Sequence, residues 1–252
     1  MAFGEHLRDW RRRRGMSQLR LALEADVSAR HIAFLETGKA NPTRGMVIRL
    51  SEALEVPRAE RNVLLEAAGF AGVYALRTLA AEDMASIRAA LEWTLQRHDP
   101  YPAIAFDRHW VLVSLNRAAT GMLSAVGLAI GDSMLDALLD PSRLRSAIDN
   151  WPEVAAHMRA RLRTESRHLG GDPVLDRAAD LLMREADPKH AMAGALPAVI
   201  TTRYLAGGAL LSFFSTIAQF GSAQDIALAD LKIELLFPAD EATRRTIAAS
   251  VE

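Results

Sequence analysis

The chain has no cysteine. That absence excludes disulfides, thiol nucleophiles and thiolate metal sites, and it fits a reducing compartment. No apolar run approaches the ~20 residues needed to span a bilayer. The opening Met1-Ala2-Phe3-Gly4-Glu5 also lacks the apolar core of a secretory signal. A cytoplasmic protein without a membrane contact is expected. The 7 histidines show no His-Glu-x-x-His or comparable ligand spacing, so no metal site is expected. There is no Gly-x-Ser-x-Gly elbow and no Walker or dinucleotide glycine loop. Gly170-Gly171 and Gly207-Gly208 read as turns, and Asp225, Asp230 and Glu234 read as carboxylates paired only by chance. The expectation is a protein that is not an enzyme, with no catalytic residue and no cofactor.

What remains is ample for a folded protein. Of 252 residues, 50% are hydrophobic and 24% charged, enough for an ordinary core and for one to two domains. The net charge of −1 conceals an asymmetry. Residues 1–70 carry 12 Lys and Arg against 9 Asp and Glu, and the rest carry 18 against 22. The basic excess includes four consecutive arginines, Arg11 to Arg14, at the end of the first expected helix, where cations also suit the helix dipole.

Apolar residues recur at helical spacing through Phe3, Leu7 and Trp10, through Leu19, Ala22 and Leu23, and through Ile32 and Leu35. Ser17 and Ser28 stand where hydroxyls cap helices, and Gly38 where a helix ends. Pro42-Thr43 opens a fourth helix with Met46, Val47, Leu50 and Leu54, and Pro57 a fifth with Val63, Leu64 and Leu65. The spacing predicts five short helices in a compact all-α unit.

Ser17-Gln18-Leu19-Arg20-Leu21-Ala22, Val27-Ser28 and Ile32-Ala33-Phe34-Leu35-Glu36-Thr37-Gly38-Lys39 resemble the Cro/CI (XRE-type) helix-turn-helix family over residues 3–70. The resemblance implies double-stranded DNA as the partner. It implies that the third helix enters the major groove with Ser28, Ala29, Arg30 and Phe34 at the bases. An arginine fork such as Arg30 can meet guanine O6 and N7, whereas Ala29 and Phe34 can only touch thymine methyls or pack on the backbone. Gln18, Arg14, Lys39, Asn41 and Arg44 are expected at phosphates, which position without reading sequence. The same resemblance pairs Arg11 with Glu36 inside the unit.

Met84, Ile87, Leu91 and Leu95 predict a further helix, stopped by His98-Asp99-Pro100-Tyr101-Pro102. The period then changes to strands over Pro102–Phe106 and Trp110–Leu115 around the turn Asp107-Arg108-His109, followed by a helix capped by Asn116. That order is the opening of a PAS-like sensor fold. Residues 133–187 read as helical, broken at Gly170-Gly171-Asp172-Pro173. Strands are expected again at 198–204, 209–218 and 231–237, with Phe237-Pro238-Ala239-Asp240 as a stop.

Asp107-Arg108-His109-Trp110 through Asn116-Arg117-Ala118, Asp149-Asn150-Trp151-Pro152-Glu153, and Asp225 through Asp240 resemble the MmyB-like transcriptional regulators. The resemblance implies a PAS-like ligand-binding domain with a cavity for a fatty-acid-like molecule, coupled to the DNA-binding half. Expected pocket residues are Phe106, Trp110, Met122, Met134, Trp151, Met158, Phe213 and Phe214. Arg203 and Tyr204 are placed to meet a carboxylate head group. The expected architecture is α+β. A helix-turn-helix domain spans 1–72, a linker helix 73–99, and a PAS-like domain with an antiparallel sheet 100–252. Two recognition helices on a palindromic operator make a homodimer the expected state. The alternative is a second domain that only dimerises or binds another protein.

Overall fold

The structure, a computed structural model, describes residues 2–184, 199–221 and 223–249. Its elements in chain order are α1 (Phe3–Arg13), α2 (Gln18–Glu24), α3 (Ala29–Glu36), α4 (Arg44–Ala53), α5 (Arg58–Ala67), α6 (Ala85–Gln96), β1 (Ala103–Phe106), β2 (Leu112–Leu115), α7 (Arg117–Ser124), α8 (Met134–Leu139), α9 (Trp151–His168), α10 (Pro173–Leu182), β3 (Thr202–Ala206), β4 (Ala209–Gln219), α11 (Ile226–Asp230), β5 (Lys232–Pro238) and α12 (Glu241–Ala249). Two compact units result. One holds the described residues of Met1–Leu76, Ser166–Asp172 and Ser222–Ala229, and the other those of Arg77–Glu165, Pro173–Gly221 and Asp230–Glu252.

In the first unit the short helices start where hydroxyls can cap them. Ser17 accepts from the Arg20 amide at 3.1 Å, Ser28 from His31 at 3.1 Å and Thr43 from Met46 at 3.2 Å, each cap contributing about 1 kcal/mol. Leu7, Trp10, Leu21, Ile32, Leu35, Leu50, Leu54 and Leu65 are buried together, and each such side chain contributes about 1.5–3 kcal/mol when fully removed from water. Gly4 lets α1 cross α3: a Cβ there would lie 2.4 Å from the Leu35 carbonyl oxygen. The α2 face differs from the expected one. Leu19 and Leu23 are 61% and 74% exposed, while Leu21 and Ala22 are buried, because a seven-residue helix presents only one narrow stripe to the core.

The second unit is built on one antiparallel sheet of order β2-β1-β5-β4-β3. Ile104 of β1 lies between Leu115 and Glu234, and Phe214 of β4 lies opposite Phe237 of β5. Gly207 and Gly208 join β3 to β4 with φ of +57° and +83°. That pair of positive φ values is what a two-residue hairpin turn following the strand twist requires. α6 belongs to this unit and packs on β1, burying Leu91 and Leu95. The start of the expected linker stays with the first unit, where the Asn62 side-chain oxygen Oδ1 accepts from the Val73 and Tyr74 amides at 2.9 and 3.1 Å.

Several strand limits move. β2 begins at Leu112 rather than Trp110, because the Asp107 carboxylate accepts from the amides of both His109 and Val111 at 2.9 Å and closes a tight turn. Trp110 takes φ +65° within it. β3 begins at Thr202; residue 198 of its expected span, like 185–187 of the expected helical middle, lies outside the described residues. The expected stop at Phe237-Pro238-Ala239-Asp240 holds, since β5 ends at Pro238, and Asp240 goes on to start a helix. Its carboxylate accepts from the Thr243 amide at 2.7 Å and caps α12.

Asn116 joins three elements. Its side-chain oxygen accepts from the Ala103 and Ala119 amides at 3.0 and 2.9 Å, while its amide nitrogen donates to Asp99 Oδ1 at 3.0 Å and the Tyr101 carbonyl at 2.8 Å. Only an asparagine or glutamine side chain carries both an acceptor and two donors. The start of β1, the start of α7 and the loop after α6 are thereby held at one buried point.

Candidate functional site

On the first unit, the exposed part of α3 carries Ser28, Arg30 and the half-buried Phe34. The Arg30 guanidinium lies over the Phe34 ring, 5.2 Å from its centroid, so the aromatic ring supports the fork from one turn away. Ser28 spends its oxygen lone pair on the helix cap, and Ala29 packs partly against the core. Arg30 is therefore the long, exposed polar side chain at this end of α3. Lys39, Asn41 and Arg44 are exposed, and their side chains make no hydrogen bond or ion pair among the described residues.

Two of the expected phosphate contacts are engaged elsewhere. Arg14 donates through Nε to the Leu54 carbonyl at 2.9 Å and through Nη2 to the Glu55 carbonyl at 2.7 Å. It closes the C-terminal end of α4, whose carbonyls lack partners within the helix. Gln18 donates its amide to Glu36 Oε2 at 2.9 Å. Glu36 also accepts from Arg11 Nε at 2.5 Å and Nη2 at 3.0 Å, and its side chain is only 2% exposed. Burial by itself raises the Glu36 carboxyl pKa. The hydrogen bonds from Arg11 and Gln18, with the charges of Arg11 and Arg8, outweigh burial and hold it below its ordinary value.

The second unit holds a cavity of about 720 Å³ that is partly open to solvent, inside the range of about 300–1,000 Å³ typical of small-molecule sites. α7 contributes Met122 and Arg117, the turn before α9 contributes Leu144, and the β3–β4 hairpin contributes Tyr204, Leu211 and Phe213. Ile247 of α12 lines it as well. An inner chamber of about 70 Å³ adjoins it and shares Met122, Leu144, Tyr204 and Phe213 with it. Val154, His157, Met158 and Arg161, one face of α9, line the inner chamber opposite Glu234 of β5.

Of the residues expected in a pocket, Met122, Tyr204 and Phe213 line both spaces, and Met134, Met158 and Phe214 line the inner one. Phe106, Trp110, Trp151 and Arg203 line neither. Phe106 and Trp110 stack with centroids 4.7 Å apart, and the Trp110 indole N–H donates to Glu165 Oε2 at 3.0 Å. Trp151 is buried beneath the Arg145 guanidinium. Arg203 donates to Asp149 Oδ2 at 2.8 Å, so its head is spent outside the cavity.

The expectation overlooked Arg117, Leu144, His157, Arg161 and Ile247. For His157 and Arg161 a signal existed, since the helical spacing that identifies Val154 and Met158 as inward also brings 157 and 161 to that face.

Arg161 centres a buried charge cluster. It donates through Nε to Glu165 Oε1 at 3.0 Å and through Nη1 to Glu234 Oε2 at 3.1 Å, and its guanidinium lies 4.2 Å from the Trp110 ring centroid. Lys232 Nζ donates to Glu165 Oε2 at 2.5 Å. Burial raises the Glu165 pKa, but the charges of Lys232 and Arg161 and the hydrogen bonds from Lys232 and Trp110 bring it below its ordinary value. His157 is shifted down, by burial first and by the Arg161 charge second, against an opposing effect of Glu234. Arg161 Nη2 has no hydrogen-bond partner among the described residues, a condition that costs about 1–3 kcal/mol for a buried donor.

The three carboxylates read as chance pairs have separate structural roles. Asp225 accepts from the Ala227 amide at the start of α11, Asp230 lies 3.6 Å from Arg108, and Glu234 pairs with Arg161. Among the described residues no group of three or more His, Asp or Glu side chains could hold a metal ion, and no helix is long and apolar enough to cross a membrane.

No curated protein matches the chain. Residues 2–64 match the family model described as a helix-turn-helix domain, the span of the first four helices and most of α5. Residues 87–249 match the model of the MmyB-like transcription regulator ligand binding domain, the span that holds the sheet and both cavities. These families are of transcription-regulator type, with DNA as partner of the first and a small molecule as partner of the second. The second match covers more than half of the 252 residues, and the chain therefore belongs to the MmyB-like transcription regulators, with a helix-turn-helix domain before the ligand-binding domain.

Proposed function

We propose that the ligand-binding domain takes a fatty-acid-like molecule and that its occupancy changes how the chain binds DNA. The 720 Å³ cavity carries this reading: Met122, Leu144, Leu211, Phe213 and Ile247 offer an apolar wall for an acyl chain. Arg117, exposed at this cavity and without a side-chain partner among the described residues, offers a cation for a carboxylate. Arg117 replaces Arg203 in that role. The sheet order β2-β1-β5-β4-β3, with helices between β2 and β3, supports a PAS-like description of the domain.

Arg30 is the base-reading residue in this proposal, supported by Phe34, with Ser28 and Ala29 at the same helix end. Lys39, Asn41 and Arg44 meet phosphates. One helix reads few base pairs, so the working form is a homodimer on a palindromic operator in the cytoplasm. A ligand alters DNA binding only as far as it prefers one form of the dimer over another.

The test is native mass spectrometry of the purified chain, followed by DNA-binding titrations before and after removal of lipid. A copurified or added fatty acid in about one copy per chain, with a changed operator affinity, is the expected result. A chain that takes up no fatty acid of any length would defeat the sensor reading.

A further inference from the structure

The inner chamber is small, and its polar groups do not match the carboxylate of a simple fatty acid. Arg161 and Lys232 are the two cations of the cluster and Glu165 and Glu234 its two carboxylates, all within the contacts given above. The cluster is balanced without a ligand. A third carboxylate pushed into this space would face Glu234 with no cation left to pair with it, a costly arrangement at low dielectric.

Several polar groups of the lining nevertheless lack a hydrogen-bond partner among the described residues, Arg161 Nη2 and the Tyr204 hydroxyl among them. Arg161 Nη2 is buried without an acceptor. The Tyr204 hydroxyl, on a side chain that lines both the inner chamber and the large cavity, makes no hydrogen bond among the described residues. Burial first, and then the Glu234 charge, push the Tyr204 pKa upward, so the hydroxyl keeps its proton and can donate or accept. Buried polar groups are ordinarily partnered, and an orphan donor beside a cavity is a place for an oxygen. The chamber, at about 70 Å³, has room for a hydroxyl or carbonyl group but not for a second chain.

We infer that the inner chamber binds an uncharged oxygen of the ligand, a hydroxyl or a carbonyl, which accepts from Arg161 Nη2 and pairs with the Tyr204 hydroxyl. This rests on the fatty-acid reading above and narrows it. The ligand class is an oxygenated amphiphile, with its chain in the large cavity and its second oxygen past Met122 and Phe213. Methionine is the adaptable member of that shared wall, since its unbranched side chain has three rotatable bonds.

The experiment uses the full chain, freed of lipid, and a displacement titration with two matched series: unsubstituted fatty acids and their ω-hydroxy counterparts, of about ten to sixteen carbons, sizes suited to a cavity of this class. At the best length the hydroxy acid is expected to bind at least about tenfold more tightly, as two hydrogen bonds, one to a charged donor, allow. Tyr204→Phe, which removes one oxygen and keeps the ring, is expected to shrink that ratio by at least about threefold. Equal binding of the two series by the unaltered chain would mean that the chamber keeps water with either ligand, and would overturn this inference while leaving the fatty-acid reading intact. A hydroxyl preference unchanged by Tyr204→Phe would overturn it too. Failure of both series to bind would remove the inference together with the reading it rests on.

Discussion

Arg11 and Glu36 are joined at two points, Nε to Oε1 at 2.5 Å and Nη2 to Oε2 at 3.0 Å, with side chains only 12% and 2% exposed. Removing Arg11 leaves the buried Glu36 carboxylate with only Gln18 and the more exposed Arg8, 3.6 Å away, at a cost toward the lower end of the about 3–5 kcal/mol for breaking a buried pair. Arg11→Ala should therefore lower the urea midpoint of the helical unit far more than Arg12→Ala, whose side chain is exposed. Urea unfolding followed by circular dichroism tests this, and equal midpoints would contradict it.

The same pair sets an acid limit. The folded Glu36 pKa lies below its ordinary value of 4.5, so its contribution is complete above that value and is lost as pH falls through the lower folded value. The wild-type midpoint should thus drop below about pH 4.5 more steeply than that of Glu36→Gln, which has no proton to gain. Parallel curves in acid would show that other carboxylates govern the decline.

Arg30 and Phe34 should separate affinity from discrimination. In a selection from a random DNA pool, Arg30→Ala should relax preference at one position, with a loss of about 1–3 kcal/mol against the best base. Phe34→Ala should weaken the same position less, because it removes the support and not the fork. Lys39→Ala or Arg44→Ala should instead weaken all sequences alike and flatten the salt dependence by about one ion. Gln18→Ala should cost folding stability, since its amide is held by Glu36.

Filling the large cavity should block uptake without touching α3. Met122 lines both spaces, and Met122→Trp adds bulk where the acyl chain would lie. The expected outcome is loss of fatty-acid binding in a displacement titration, with operator binding retained but no longer altered by added lipid. Unchanged lipid affinity would place the ligand elsewhere.

Glu165 and Lys232 lend themselves to a double-mutant cycle. Glu165→Gln alone leaves Lys232 and Arg161 short of a carboxylate, and a loss of about 3–5 kcal/mol is expected for a pair this buried. Lys232→Met combined with Glu165→Gln should recover part of that loss, with a coupling of about 0.5–3 kcal/mol. Strict additivity of the two losses would show that the contact contributes nothing.

The helical unit was the more legible half, for a local reason. Ser17, Ser28 and Thr43 cap helices through residues three positions ahead, and Gly38 ends α3 with a positive φ, all within one turn of chain. Arg11–Glu36 was implied by the family resemblance and not by periodicity, because it spans 25 positions. The cavity was harder. Phe106 and Trp110 have the composition of a pocket wall, yet they stack on each other under Arg161; nothing in their spacing distinguishes a filled core from a lined space. Lys232 and Glu234 occupy the β5 face that turns toward α9, where alternation alone assigns apolar residues. Only the partners on α9, more than sixty positions away, account for the charges there.

Asn116 carries a consequence for divergence. It fixes β1, α7 and the loop after α6 at one point, and α7 bears Arg117 and Met122 at the cavity. Because the frame is secured by a side chain that does not itself line the cavity, the lining can be exchanged for other sizes and polarities while the backbone around it stays put. A regulator built this way can acquire a new signal molecule by point changes, without rebuilding the domain that reads it.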